Sequence, residues 1–189
     1  MTGTVRRPPS RIYLRELAAD DAPSFVDAAL ASRRLHGRWV HPPLTVEEFL
    51  ARLEKRRLAA NSATLLARKR DDDAIVGLFN LSEIIRGPLQ QAFLGYYGFV
   101  SHTGAGYMRE GMALVLVHVF RSLKLHRIEA NIQPGNARSI ALVQATGFVH
   151  EGYAERYLKI AGRWRDHERW AINAERWLAW QHDGGSAAT

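Results

Sequence analysis

Apolar residues recur along this chain with two periods, and the switches between them mark out its elements. Arg11-Ile12-Tyr13-Leu14-Arg15 alternates polar and apolar, which predicts a first strand. Asp20 and Asp21 predict the cap of a following helix, and Pro23 suits its first turn. Phe25, Val26, Ala29 and Leu30 then fall at helical spacing. Trp39-Val40-His41-Pro42-Pro43 predicts a rigid extended loop. Thr45 with Glu48 is a capping-box pattern, opening a second helix that runs to about Ala60. Ala63 to Lys69 and Ala74 to Leu81 are apolar, strand-like runs joined by Asp71-Asp72-Asp73, a hairpin.

After a loop at Arg86-Gly87-Pro88, Phe93 to Val100 predicts the next strand. The helix opening at Gly104 is apolar at Met108, Met112, Val115, Leu116, Val119, Phe120 and Leu123. Leu114 and Val117 are apolar too, which predicts burial on more than one side. His126 to Gln133 sets Ile128, Ala130 and Ile132 against Glu129, Asn131 and Gln133, a strand. Pro134-Gly135 is a turn, and Asn136 suits the N-cap of a short helix ending near Gly147. Phe148 to Ile160 and Trp164 to Ile172 predict a closing hairpin around Ala161-Gly162. The order is strand, two helices, three strands, helix, strand, helix, two strands. That is a mixed α/β domain with a largely antiparallel sheet over 10–180, with flexible tails expected at 1–9 and 183–189.

Gly104-Ala105-Gly106 stands where a strand turns into a helix, so backbone N–H groups there can approach a bound phosphate, helped by the helix dipole. The dinucleotide motif G-x-G-x-x-G is absent, and Gly106 is followed by Tyr107-Met108 rather than the lysine of a nucleotide-hydrolysing loop. The loop therefore suits a pyrophosphate that is held and not hydrolysed.

Composition narrows the classes. With no cysteine there is no disulfide framework, thiol nucleophile or thiolate metal site. The basic N-terminal stretch Met1 to Ser10 has no apolar core after it and predicts no secretory signal. No apolar run reaches the roughly 18 residues of a membrane span, so a cytoplasmic protein is expected. The net charge of +7 permits a polyanionic partner. However, Arg52, Lys55, Arg56 and Arg57 fall on one expected helix with Glu47, Glu48 and Glu54, which predicts a solvated helix face. His36, His41, His118, His126 and His150 have no metal-ligand spacing, and no metal is expected; His118 suits a core or boundary position and His126-Arg127 a structural one.

Three segments carry a resemblance to the GNAT acetyltransferases, and within them to the RimJ/RimL group that acetylates ribosomal-protein N-termini. They are Leu94-Gly95-Tyr96-Tyr97 leading into Gly104 to Glu110, Leu125 to Asn131 running on to Pro134-Gly135-Asn136-Ala137-Arg138-Ser139, and Gly147 to Tyr153. The resemblance implies the acyl-CoA N-acyltransferase fold, a mostly antiparallel sheet of about seven strands flanked by about four helices. It implies acetyl-CoA as cosubstrate, with His102, Thr103, Gly104, Ala105, Gly106 and Tyr107 around the pyrophosphate. Where the family's loop begins with Gln or Arg, this chain has Ser101. The family's bulged strand maps to Tyr97, Gly98, Phe99 and Val100, whose backbone would pair with the pantetheine arm and polarise the acetyl carbonyl.

The implied reaction is direct attack of a neutral amine on the thioester. By resemblance Asn136 and Ser139 lie near the sulfur. The general-acid tyrosine of many family members falls at Val143, and Ser139 offers a hydroxyl instead. As residues alone, Asn136 and Ser139 equally fit the cap of a helix. Glu83 is either the base at the acceptor cleft or a solvent-exposed carboxylate. Without a strong base an α-amine is the easier acceptor, with a pKa of about 8 against about 10.4 for lysine. Trp39, Pro43, Glu83, Tyr97 and Trp164 are the expected acceptor-binding residues, although Trp39 and Pro43 also suit plain loop packing. The expected acceptor is a protein N-terminus. Alternatives are a small amine (antibiotic, polyamine or amino acid) or a catalytically weak RNA- or ribosome-associated binding module, and a homodimer is compatible with either.

Overall fold

The computed structural model describes residues 10–182, and both tails expected to be flexible lie outside them. One sheet runs in the order β1 (Ile12–Glu16), β2 (Ala63–Lys69), β3 (Ile75–Ile85), β4 (Gln91–Gly98), β5 (Arg127–Ile132), β7 (Arg163–Asn173), β6 (Val149–Ile160). Neighbouring strands are antiparallel except β4 and β5. A parallel pair needs a crossover, which α4 (Tyr107–Val117) supplies. Leu123 N–H returns to the His118 carbonyl at 2.9 Å, so the last turn of that crossover widens to π geometry.

Two apolar layers sandwich the sheet. Strand side chains alternate, so Leu65 and Phe79 go to one layer while Leu66 and Leu78 go to the other. The first layer lies under α4, α5 (Ala137–Ala145) and α6 (Ala174–His182), with Met112, Leu116, Val143 and Trp177. The second lies under α1 (Ala22–Ala31) and α3 (Val46–Arg57), with Phe25, Phe49 and Phe99. Both faces being covered, the central strands read as continuous apolar runs. A Cβ at Gly111 would stand 2.7 Å from Phe79 Cε2, and one at Gly98 would stand 3.0 Å from Met108 Cγ. These glycines let α4 lie close against β3 and β4.

Several expectations are corrected. There are six helices among the described residues where about four were expected; the additions are the single turn α2 (Arg33–His36) and α6. Asp21 does not cap α1 through its side chain. Its carboxylate is buried and accepts hydrogen bonds from Ala18 N–H, Arg15 and Arg68. Burial alone would raise its pKa; these bonds outweigh it and hold the carboxyl below its usual range. The capping box at Thr45 is half formed: Thr45 accepts from Glu48 N–H, but Glu48 takes the Leu44 N–H instead.

Candidate active site

Backbone pairing between β4 and β5 is confined to Gln91–Arg127, Ala92–Ile128 and Phe93–Glu129. Beyond those rungs the strands part, while β4 stays paired with β3 and β5 with β7. Leu94–Gly98 and Ala130–Ile132 therefore face each other across a wedge with their inner edges open to a guest. At the last rung Glu129, 1% exposed, receives Arg127 and Arg169. The bulge expected at Tyr97–Val100 is elsewhere: β4 is regular through Gly98, and the register slips in β3 between Ser82 and Ile85.

The glycine loop stands at the open end of β4. Gly104 and Gly106 have φ of +79° and +83°, which glycine adopts readily. The N–H groups of Gly104, Ala105, Gly106, Tyr107 and Met108 make no hydrogen bond among the described residues. The Ala105 carbonyl is held from behind by Arg11 Nη2 at 2.8 Å, and the Arg11 guanidinium also covers the Tyr107 ring and binds Glu110. Carbonyl on one side and free N–H on the other make a cradle for an anion at the positive end of α4. It begins later than expected, because Phe99, Val100, His102 and Thr103 already spend their N–H groups on Val76, Ser32 Oγ, Phe99 and Val100. The turn Val100–His102 carries the cradle, with the His102 ring against the Tyr107 edge.

Asn136 does cap α5, its Oδ1 accepting the Ser139 N–H at 3.4 Å. The Ser139 hydroxyl has no partner among the described residues, so capping by Asn136 leaves it available. Tyr96 reaches from β4 and donates to the Ser139 carbonyl at 3.0 Å, tying the two sides of the wedge on the α4 face. Burial keeps that phenol protonated by pushing its pKa up.

On the opposite face Tyr97, Pro43, Arg52, Arg56 and Thr64 line one small concavity. Burial pushes the Tyr97 phenol up to about 12, against a downward pull from Arg52 and Arg56. Trp39 bridges the mouth: its carbonyl receives Gln133 Nε2 at 3.4 Å, and its ring lies beside Gly135, next to Asn136. His36, which the sequence did not mark, packs edge-on to Tyr97 and Phe99 and donates from Nε2 to the Gly98 carbonyl at 2.9 Å. Burial lowers its pKa, so the ring is neutral, and its buried Nδ1 has no partner. Asn131 was also missed. It alternates with Ala130 and Ile132 onto this face, and its Oδ1 is buried without a partner. The signal for it was present, as a polar residue in an apolar strand beside the cofactor motif.

Two expected residues are not brought here. Glu83 does not end its strand; β3 runs on to Ile85, and Glu83 sits in the bulge at φ +47° with its carboxylate on Asn61 Nδ2 at 2.9 Å. The register places it beyond Phe93, at the closed end of the wedge. Trp164, 60% exposed, lies near the tip of the β6–β7 hairpin and makes no aromatic contact among the described residues.

The GNAT acetyltransferase domain matches residues 11–149. The chain belongs to the GNAT acetyltransferase family. It is 46% identical over 101 residues to a probable N-acetyltransferase, YjcK, of Bacillus subtilis strain 168, covering 53% of this chain and 56% of that one. It is 38% identical over 107 residues to the ribosomal protein uS5-alanine N-acetyltransferase of Escherichia coli K12, covering 57% and 55%. The chain thus spans about half the length of these curated relatives. A fuller match, 25% identical over 172 residues and covering 89% and 96%, is to the spermidine N(1)-acetyltransferase of Vibrio cholerae. Among solved structures, Mycobacterium smegmatis RimJ in complex with CoA-disulfide superposes with a TM-score of 0.83 at 27% identity, covering 94% of this chain and 91% of that one. In this GNAT chain the wedge and the glycine cradle are an open strand pair and a run of N–H groups without hydrogen bonds among the described residues. No described helix is long and apolar enough to cross a membrane.

Proposed function

We propose that this chain transfers the acetyl group of acetyl-CoA to a primary amine, chiefly the α-amine of a protein N-terminus, in the cytoplasm. The carrying observation is the wedge that ends in a cradle of free N–H groups. The cradle suits a pyrophosphate, and the open edges of β4 and β5 suit the amide-bearing arm that joins it to the thioester. Gly104 to Tyr107 would hold the phosphates, while Tyr97, Phe99 and Val100 would border the arm. The neutral amine attacks the carbonyl carbon, the C–N bond forms, the C–S bond breaks, and the electron pair leaves on sulfur. The free Ser139 hydroxyl is suited to donate a hydrogen bond to that thiolate, with Asn136 fixing the turn that presents it. Water carries away the amine proton.

Two observations support an N-terminal acceptor. The side chains gathered at the open part of the wedge are tyrosines, amides, a serine and arginines; the carboxylate of Glu129 at its apex is engaged by Arg127 and Arg169, and Glu83 is at the far end. An amine that is partly neutral near pH 7 suits a site without a carboxylate base. The likeness to an alanine N-acetyltransferase of a ribosomal protein and to RimJ points the same way. The test is thiol release from acetyl-CoA with Ala-initiated peptides beside spermidine. Turnover of peptides at least tenfold above spermidine is expected; spermidine as the better acceptor would overturn the reading.

A further inference from the structure

Arg52 and Arg56 lie one helical turn apart on α3 and both line the concavity beside Tyr97. The charge pattern of α3 suggested a solvated face, and Arg56 departs from it. The side chain is partly buried, and its Nη1 is fixed by Thr64 Oγ1 at 3.0 Å and Asn80 Oδ1 at 2.5 Å. Arg52 donates to the His41 carbonyl at 3.0 Å. All three partners are neutral. Among the described residues neither guanidinium meets a carboxylate, whereas Arg11, Arg15, Arg68, Arg127 and Arg169 all do. Glu48, one turn before Arg52, is engaged with Leu44 N–H, and Glu54 between the two arginines forms no ion pair with either. A half-buried cation held in place by neutral groups is unfavourable unless a ligand supplies the counter-charge. Burial pulls the Arg56 pKa below its ordinary value, in keeping with that missing partner.

We propose that Arg56 and Arg52 form a carboxylate-recognition subsite for the acceptor. The preferred substrate is then a peptide with an acidic side chain close to its reactive N-terminus. This rests on the N-terminal reading above. Tyr97 lines the subsite and directly follows Tyr96, which holds the turn carrying Ser139, so an acid bound there would lie on the acceptor face of the strand that borders the reacting thioester. Arginine suits the task because its planar fork matches a carboxylate. The same charges repel a polyamine.

The test uses matched peptides that differ by one charge, Ala-Glu against Ala-Gln at the N-terminus, and a matched small pair, 4-aminobutyrate against its amide. Wild type should favour the Glu peptide about tenfold or more in kcat/KM at low salt, the size expected of a charge-assisted contact. The ratio should approach one in Arg56→Met and shrink in Arg52→Gln. Arg52 is exposed, so its variant keeps the test sound if Arg56→Met folds poorly, and a retained thermal shift with acetyl-CoA reports folding in both. A wild-type ratio near one overturns the subsite, as does a ratio that survives both substitutions. If peptides do not react but the small acid is preferred over its amide in an arginine-dependent way, the N-terminal reading falls and the subsite stands. If neither pair shows a preference, the subsite falls whatever the acceptor.

Discussion

The two faces of the sheet meet at the β4–β5 wedge and are built by different means. The α4 face offers backbone: N–H groups from Gly104 to Met108 that are free among the described residues, two left-handed glycines, and a helix held close by Gly98 and Gly111. The α1–α3 face offers side chains: Tyr97, His36, Asn131, Trp39, and Arg52 and Arg56, which have no carboxylate partner among the described residues. A main-chain cradle accepts one chemical group and is insensitive to most substitutions around it. A side-chain surface can be retuned by a single residue, which suits the part that must choose an acceptor.

Breaking the backbone side should have the largest effect. Gly104→Trp puts a ring where a Cβ meets nothing within 4 Å, so the free protein should lose little stability beyond about 1–2 kcal/mol for the left-handed φ. The thermal shift with acetyl-CoA should vanish; a wild-type-sized shift would mean that the cradle is not the cofactor site. Ser139→Ala comes next. Loss of one hydrogen bond to a charged leaving group corresponds to about 1.5–3 kcal/mol, or roughly 10–100-fold in kcat, with cofactor affinity retained. Unchanged single-turnover rates would remove its role.

A smaller effect separates the faces by pH. Burial lowers the pKa of His36, and likewise of His118 and His167. A histidine with a depressed folded pKa contributes its full stability above its unfolded value of about 6.5 and loses it as pH falls below that. Melting temperature should therefore drop between pH 7 and 5, before the carboxylates titrate. His36→Gln keeps an N–H for Gly98 and should make the drop shallower; an unaltered slope would show that His36 is not one of the titrating groups. Smallest of all, Glu83→Gln should leave kcat within about twofold, as expected for a carboxylate at the closed end of the wedge, and a tenfold fall would restore it as the base.

The backbone face was far more legible in the sequence. Gly104, Gly106 and the N-cap Asn136 are local signals, since left-handed φ and capping are decided by a few neighbouring residues. All seven strands and the crossover helix followed from alternation, apolar runs and turn residues, which are local signals too. The side-chain face depends on what distant segments place together. His36 reads as an ordinary residue near a helix end until Gly98 arrives beside it. Arg56 is indistinguishable from Lys55 and Arg57 by pattern, and only Thr64 and Asn80 show that it turns inward. Glu83 was misplaced because the apolar run fades at Leu81, which hides both the continuation of β3 to Ile85 and its register against Phe93.

The parted strands have a further consequence, for association with other copies. Leu94–Gly98 and Ala130–Ile132 are in effect two sheet edges, the kind of surface on which a foreign strand can add. Here they face inward and are screened by Tyr96 on one side and by the Trp39 bridge on the other. The protein keeps strand-pairing capacity for a narrow guest while screening it from neighbouring molecules.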